Sequence, residues 1–476
     1  METFLIGVAV LIAGYFVYGK YISRFFGADE SRVTPAIRLR NDIDYMPLPV
    51  WKIFLIQFLN IAGLGPIFGA ILGAAYGPIA FLWITLGCIF AGGVHDYFSG
   101  MMSIRHDGLS ITEIVGIYMG KNIKAILIII TMVLLIMVGA VFVTGPAKLL
   151  ENLTSGYISI EWWIAIIFIY YFIATLLPID QLIGKIYPIF GVALLFMAFS
   201  IGIMMVVKGM EIPNITLANF HNFHDHPDKF PLFPMMFITI ACGAISGFHG
   251  TQSPMMARCM KNEKMGQRVF YGAMITEGIV TMIWAAAAMG FYHGVDNLNF
   301  ELAKNGSNAA VIVQDISVSL LGKYGGLLAI IGVIVAPIST GDTALRSARL
   351  ITSDFFHFKQ KNIFQRIKIS TPIFLITFLL TQIKFDIIWR YLSWTNQILA
   401  MIILWTTALY LKKENKSVWI AVIPAIFMSI TTSTYFFVAP EGIKLPYTLS
   451  LILGAVFAII LTIIFFLKTG HKQKHL

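Results

Sequence analysis

Gly243-Ala244-Ile245-Ser246-Gly247-Phe248-His249-Gly250-Thr251-Gln252-Ser253-Pro254 stands inside an apolar run over residues 233–257. Clustered glycines followed by a proline are poor material for a continuous helix. In a helix interior Gly costs about 1 kcal/mol and Pro about 3 kcal/mol relative to Ala. Proline is favoured in the first turn of a helix, and Ser253 before it is a good N-cap. The stretch therefore predicts a half-helix, an unwound segment and a new half-helix starting at Pro254. Ile61-Ala62-Gly63-Leu64-Gly65-Pro66 interrupts the run 52–75 in the same way and predicts a second start at Pro66. Unwound backbone at membrane depth survives only where protein or a water-filled cavity satisfies it. A pair of such interruptions in two halves of a chain points to a transporter binding site.

The rest of the chain fits a membrane setting. Of 476 residues 58% are hydrophobic and 12% charged, and the mean hydropathy is +0.81. Soluble domains carry ~25% charged residues, so a cytosolic enzyme, a disordered regulator and a secreted disulfide scaffold are excluded. A membrane span needs ~20 apolar residues. Thirteen segments qualify, at 4–22, 52–75, 77–104, 124–147, 162–178, 186–207, 233–257, 269–292, 323–341, 370–386, 389–411, 417–438 and 445–467. The first follows Met1-Glu2-Thr3 without a basic n-region and reads as a retained helix rather than a signal peptide. Cys88, Cys242 and Cys259 show no zinc or disulfide spacing.

The formal charge of +10 is a topology signal. With the N-terminus outside and the segments alternating, 26 of the 34 Lys and Arg fall on the cytoplasmic side and 8 outside. The C-terminus is then cytoplasmic. A folded basic face of the kind that binds nucleic acid is absent. The partners expected are the lipid bilayer and a small-molecule substrate, with no nucleic acid and an open oligomeric state.

The two interruptions are five segments apart and run in opposite directions. The fold class expected is an all-α polytopic membrane protein of about thirteen transmembrane helices, with a five-plus-five inverted repeat and two discontinuous helices. The organisation expected is a membrane helix and cytoplasmic segment at 1–50, a first repeat at 51–211, a second at 233–411, and two C-terminal helices with a basic tail at 417–476. A local echo accompanies the repeat: Ile114-Val115-Gly116-Ile117-Tyr118-Met119-Gly120-Lys121 against Ile316-Ser317-Val318-Ser319-Leu320-Leu321-Gly322-Lys323.

Five motifs resemble the carbon-starvation protein A family of bacterial inner-membrane transporters. They are Gly247-Phe248-His249-Gly250-Thr251-Gln252-Ser253-Pro254-Met255-Met256-Ala257-Arg258-Cys259, Asn41-Asp42-Ile43-Asp44-Tyr45-Met46-Pro47, Ile61 to Pro66, Val269-Phe270-Tyr271-Gly272-Ala273-Met274-Ile275-Thr276-Glu277-Gly278, and Pro337-Ile338-Ser339-Thr340-Gly341-Asp342-Thr343-Ala344-Leu345-Arg346-Ser347-Ala348-Arg349. The similarity runs from about residue 1 to 411, and the chain is short for the family. The resemblance implies a secondary transporter with the leucine-transporter-like fold in the bacterial inner membrane. It also implies that members import pyruvate with protons or take up peptides.

Depth selects the chemical residues. Asp96 is nine residues before Arg105 and Glu277 nine after Arg268. At ~1.5 Å per residue both lie ~13–14 Å from the cytoplasmic end. A mid-membrane ionisable group must face a cavity or a partner. Asp96, Glu277 and His249 are therefore the proton-coupling candidates, with hydrogen-bonded cross-links between helices as the structural alternative. His95 reads as structural. The half-helices starting at Pro66 and Pro254 aim unpaired N–H groups at the breaks, a setting for a carboxylate. The substrate-binding candidates are Gly63, Gly65, Pro66, Gly247, His249, Thr251, Gln252 and Ser253. Ser339 and Thr340, near the inner end of their helix, are oxygen donors for sodium, with a helix terminus and an Asp342 pairing to Arg346 or Arg349 as the alternative. No cofactor and no resident metal are expected. The outer-loop His221, His224, His226, Asp225 and Asp228 read as a solvated polar loop, with zinc binding as the alternative. The function expected is import of a small carboxylate such as pyruvate, coupled to protons, with sodium as the other ion. The alternatives are a peptide or amino-acid transporter and a nutrient receptor without transport. An intramembrane enzyme is disfavoured because no metal-ligand or nucleophile–base motif is present.

Overall fold

The structure, a computed structural model, describes residues 1–41, 45–154, 156–176, 187–356, 358 and 363–470. Residues 42–44 of one motif, the end of the fifth apolar segment, and Lys185, Lys359, Lys361, Lys472 and Lys474 lie outside the described residues. Those described form helices and connections, with no strand among them. Ten helices are long and apolar enough to cross a membrane, and the pair Val50–Ile61 and Gly65–Ala74, bent by 57°, makes an eleventh. Each of the thirteen apolar segments falls on a helix or a broken pair. The remaining two are Ile160–Leu176 and the pair Leu232–Thr239 and Gly247–Ala257.

Both expected breaks are present, and one start needs correcting. The first half-helix ends at Ile61, and the chain resumes at Gly65 with a π-helical turn carrying Pro66 at its start. The second resumes at Gly247, after Ser246 in extended conformation, so Pro254 sits inside the helix rather than opening it. Side chains of the helix Phe385–Lys413 cause the earlier start. Asn396 Oδ1 accepts from Phe248 N–H at 2.7 Å, and Gln397 Nε2 donates to Ile245 O at 3.1 Å. With those polar groups satisfied the helix begins seven residues early, and Pro254 forgoes only its own backbone bond. Thr251, Gln252 and Ser253 are therefore helical.

The echoed motifs occupy like positions. Gly120 (φ +97°) separates the amphipathic helix Ile111–Met119 from the 33-residue helix Lys121–Leu153. Gly322 (φ +70°) breaks Ala309–Phe355 at the matching place, leaving a run over 323–355 of the same length. Positive φ is what glycine tolerates at such a turn. The segment expected at 323–341 thus runs on to Phe355, and the one expected at 370–386 is Ile363–Leu380. Ile111–Met119 and Val295–Lys304 are short helices that the apolar runs do not show.

Loops assigned to one side meet one another. On the Lys/Arg-rich side Arg105 reaches Glu263 at 2.5 Å and 2.8 Å, Lys264 reaches Glu30 at 2.7 Å, and Lys416 donates to Phe25 O at 3.0 Å. On the other side the Met1 ammonium donates to Ile212 O at 2.7 Å, and Asn299 donates to Ala75 O at 3.1 Å and Phe223 O at 2.7 Å.

The two breaks pack directly against each other. A Cβ at Gly65 would collide with the Cβ and Sγ of Cys242. Gly65→Ala is expected to lower stability by about 1–3 kcal/mol, the usual cost of overpacking. Adding Cys242→Gly is expected to recover part of that loss, measured by thermal unfolding of the detergent-solubilised variants.

Candidate functional site

Helix Ala80–Arg105 carries His95 and Asp96, the half-helix Gly247–Ala257 carries His249, and Gln267–Phe291 carries Glu277. The structure brings all four into one buried row, each fully shielded from solvent. His95 Nδ1 lies 2.7 Å from Asp96 Oδ1, and His249 Nδ1 lies 2.8 Å from Asp96 Oδ2. His249 Nε2 lies 3.4 Å from Glu277 Oε2. His95 is thus an integral member of the row rather than a bystander. Gly250 lets the half-helix pack closely on Phe385–Lys413: a Cβ there would come within 2.6 Å of Ile403.

An ionised carboxylate only accepts hydrogen bonds, and a neutral imidazole donates from one nitrogen. Asp96 has an imidazole nitrogen on each oxygen. Neither Glu277 oxygen has a hydrogen-bond partner of good geometry. The row therefore combines one carboxyl with a hydrogen-bond partner on each oxygen and one carboxyl with none, joined by an imidazole. This arrangement can hold and release a proton, and it also cross-links three helices.

The expected substrate donors are more engaged than the sequence suggests. Thr251 Oγ1 donates to Phe248 O at 2.7 Å, Ser253 Oγ donates to His249 O at 3.0 Å, and Gln252 Nε2 donates to Thr251 Oγ1 at 2.8 Å. The buried Gln252 Oε1 has no partner. The N–H of Phe248 is taken by Asn396, so the second half-helix start is already capped. Gly63, Gly65, Pro66 and Gly247 sit in the packed breaks, where a cavity of about 20 Å³ touches Gly65, Cys242, Phe248 and Asn396. That is room for roughly one water.

The larger space lies towards the Lys/Arg-rich side. A cavity of about 520 Å³ is lined by Thr251, Thr131, Ser347, Lys121, Glu113 and Arg258, among others. Its volume falls in the ~300–1,000 Å³ range of small-molecule sites. Of the substrate-binding candidates only Thr251 borders it. The sequence reading used Lys121 and Arg258 for topology, the repeat echo and a family motif but not as site residues, and Thr131 was not singled out because a hydroxyl in an apolar helix usually bonds its own backbone.

Ser339 and Thr340 lie within Ala309–Phe355, not at a helix terminus. Their hydroxyls bond back to the helix's own backbone: Ser339 Oγ donates to Ala336 O at 2.7 Å and Thr340 Oγ1 to the same oxygen at 3.0 Å. Thr340 Oγ1 also reaches Leu59 O, beside the first break, at 3.2 Å. Asp342 pairs with Arg346 at 3.9 Å. In the outer loop His221 stacks on Phe223, and His224 packs against Tyr76 and Phe230, where burial lowers its pKa. No group of three or more His, Cys, Asp or Glu is placed to hold a metal among the described residues.

Comparison with known proteins places this geometry in context. A family profile described as "Carbon starvation protein CstA" matches residues 1–164 and 157–324. A Haemophilus influenzae protein described as an uncharacterized membrane protein is 44% identical, over 61% of this chain and 91% of that one. The "Peptide transporter CstA" of Escherichia coli is 26% identical, over 59% of this chain and 49% of its own. The "Pyruvate/proton symporter BtsT" of Escherichia coli is 28% identical, over 59% and 48%. The chain thus spans about half the length of these named transporters. Among solved structures, MhsT in complex with L-phenylalanine superposes with a TM-score of 0.55 at 17% identity, covering 87% of this chain and 97% of that one. A manganese transporter of Eremococcus coleocola superposes with a TM-score of 0.55 at 13% identity, over 90% and 99%. These likenesses establish the leucine-transporter-like fold.

Asn396 is the residue on which the second break depends. Asn396→Ala leaves Phe248 N–H and Ser246 without their partner and is expected to cost about 1–3 kcal/mol. Thermal unfolding in detergent measures it, and an unchanged midpoint would remove Asn396 from this role.

Proposed function

The chain belongs to the carbon starvation protein CstA family, and from that premise we propose that it imports a small carboxylate such as pyruvate, driven by protons, through alternating access. The observation that carries this reading is the buried row Asp96–His249–Glu277, which ties the second broken helix to the two helices beside it. An intramembrane ionisable group is costly and reads as functional. Here three of them meet at the element that alternating access must move.

The two cavities give the reading its direction. The gap between the breaks holds about 20 Å³, while about 520 Å³ opens beside Lys121 and Arg258. By the excess of Lys and Arg that side is cytoplasmic, with the N-terminus outside and the C-terminus inside, in a bacterial inner membrane. The form described is then inward-facing, with the substrate site of the breaks closed. A carboxylate meets net positive charge in the cytoplasmic cavity, from Lys121, Lys124 and Arg258 against Glu113. The matched turns at Gly120 and Gly322 support the inverted repeat, 51–211 against 233–411, on which such a mechanism rests. The membrane helix at 1–50 and the two helices at 417–476 would flank it.

Glu113 favours a second reading. An acid beside cations suits a zwitterion, so a dipeptide or amino acid would fit the same cavity. Lys124 holds Glu113 at 2.6 Å, and an amine would have to displace it. Sodium coupling through Ser339 and Thr340 would need their hydroxyls to leave their present carbonyls.

Purified protein in liposomes, given radiolabelled pyruvate and an inward pH gradient without sodium, is expected to accumulate it and to lose the accumulation with a protonophore. Uptake of dipeptides but not pyruvate would install the second reading. Binding with no flux of either would indicate a receptor.

A further inference from the structure

We propose that His249 and Glu277 together carry the coupling proton, while Asp96 is a fixed anion that orients both imidazoles. The inference rests on the transport reading above and assigns its proton to particular atoms.

The geometry separates the two carboxyls. Asp96 receives an imidazole nitrogen on each oxygen, at 2.7 Å and 2.8 Å. Hydrogen bonds to the charged form favour that form. Glu277 has only the 3.4 Å approach of His249 Nε2, and neither of its oxygens finds another partner. As a carboxylate with neutral His249 beside it, Glu277 would be an uncompensated buried charge, which is costly. One proton resolves this. It resides either on Glu277, which then donates to His249 Nε2, or on His249, whose imidazolium then faces both carboxylates. The total charge of the row is the same in the two arrangements. Moving the proton between them breaks one O–H bond and forms one N–H bond, with no oxidation or reduction.

The other titratable groups around the row carry no fixed charge. Helix Ala80–Arg105 adds His95 and Cys88, Gln267–Phe291 adds Tyr271, and the break adds Cys242. Phe385–Lys413 faces the half-helix with the neutral Asn396, Gln397 and Ile403.

The elements holding the two carboxyls are joined to each other. Tyr271 OH donates to Ile89 O at 3.0 Å, and Cys88 Sγ donates to Met274 O at 3.3 Å. His249 stands on a separate half-helix between them. With the proton present, each neighbouring pair in the row has a donor and an acceptor. When it leaves, the Nε2 lone pair faces Glu277 oxygens that can only accept. That contact then becomes repulsive, and the half-helix is released. A proton entering from outside and leaving to the cytoplasm would thus bias the two states through one contact, as differential affinity requires.

Glu277→Gln tests this directly. In liposomes Glu277→Gln should fail to accumulate substrate under an inward pH gradient, and any residual uptake should respond neither to the gradient nor to a protonophore. In infrared difference spectra on a pH step, the wild-type band of a protonated buried carboxyl should vanish in Glu277→Gln and persist in Asp96→Asn. The spectra need no substrate, so they remain informative if pyruvate and dipeptides both fail as cargo. Gradient-driven accumulation by Glu277→Gln, or a band that follows Asp96 instead, would each overturn the assignment. If Glu277→Gln does not purify, Glu277→Asp replaces it and should keep accumulation with a displaced pH profile; an unaltered profile overturns the assignment equally.

Discussion

Backbone that unwinds at membrane depth must find its hydrogen bonds within the protein. At the second break the side chains of Asn396 and Gln397 provide them, through Phe248 N–H and Ile245 O. Much else follows from those two residues. They fix where the half-helix begins, hence which turn of it carries His249, hence that His249 points between Asp96 and Glu277. The same capping bonds occupy the helix start that would otherwise be free for an anion. In this form the second break is a structural joint, and the space for a solute lies further along the half-helix, beside Thr251 and Arg258.

The buried row and the close-packed glycines serve one another. A carboxylate costs several kcal/mol in a bilayer unless a partner is supplied within hydrogen-bond reach. Reach requires helices closer than ordinary side chains allow. Gly250 brings the half-helix against Phe385–Lys413, and Gly92 lets Ala80–Arg105 pass the carbonyl of Ala244. The cross-link and the chemistry are therefore not alternatives for Asp96. Holding three helices together is what places its charge beside a titratable imidazole.

Much of this was legible in the sequence. Apolar runs and two Gly/Pro interruptions are local signals, and they located the helices and both breaks. Counting residues from Arg105 and Arg268 set Asp96 and Glu277 at one depth, and they do share a site. What misled was equally local. Ser253-Pro254 is a good helix start by its own chemistry, but the bonds that moved the start to Gly247 come from residue 396, far along the chain. His95 read as structural because nothing in its neighbours along the chain shows that an imidazole from residue 249 completes the other half of Asp96. The inner vestibule was hidden for a similar reason: Thr131, Thr251 and Ser347 belong to three different helices.

The two breaks are alike in sequence and unlike in support. The second is held by Asn396, Gln397 and the charged row. The first has no side-chain cap at Gly65, and one turn before it Gln57 and Asn60 each bury an amide with no partner on either atom. Residues three apart on a helix share a face, so these four unsatisfied groups form one patch. Each unsatisfied buried group costs about 1–3 kcal/mol. An outward-facing form that hydrates or pairs them would recover part of that cost as it parts Gly65 from Cys242. The form described is thus held at the second break and left with unsatisfied amides at the first. On the proposed coupling, releasing His249 would let the first break gain what the second loses, which would keep the two states close in free energy.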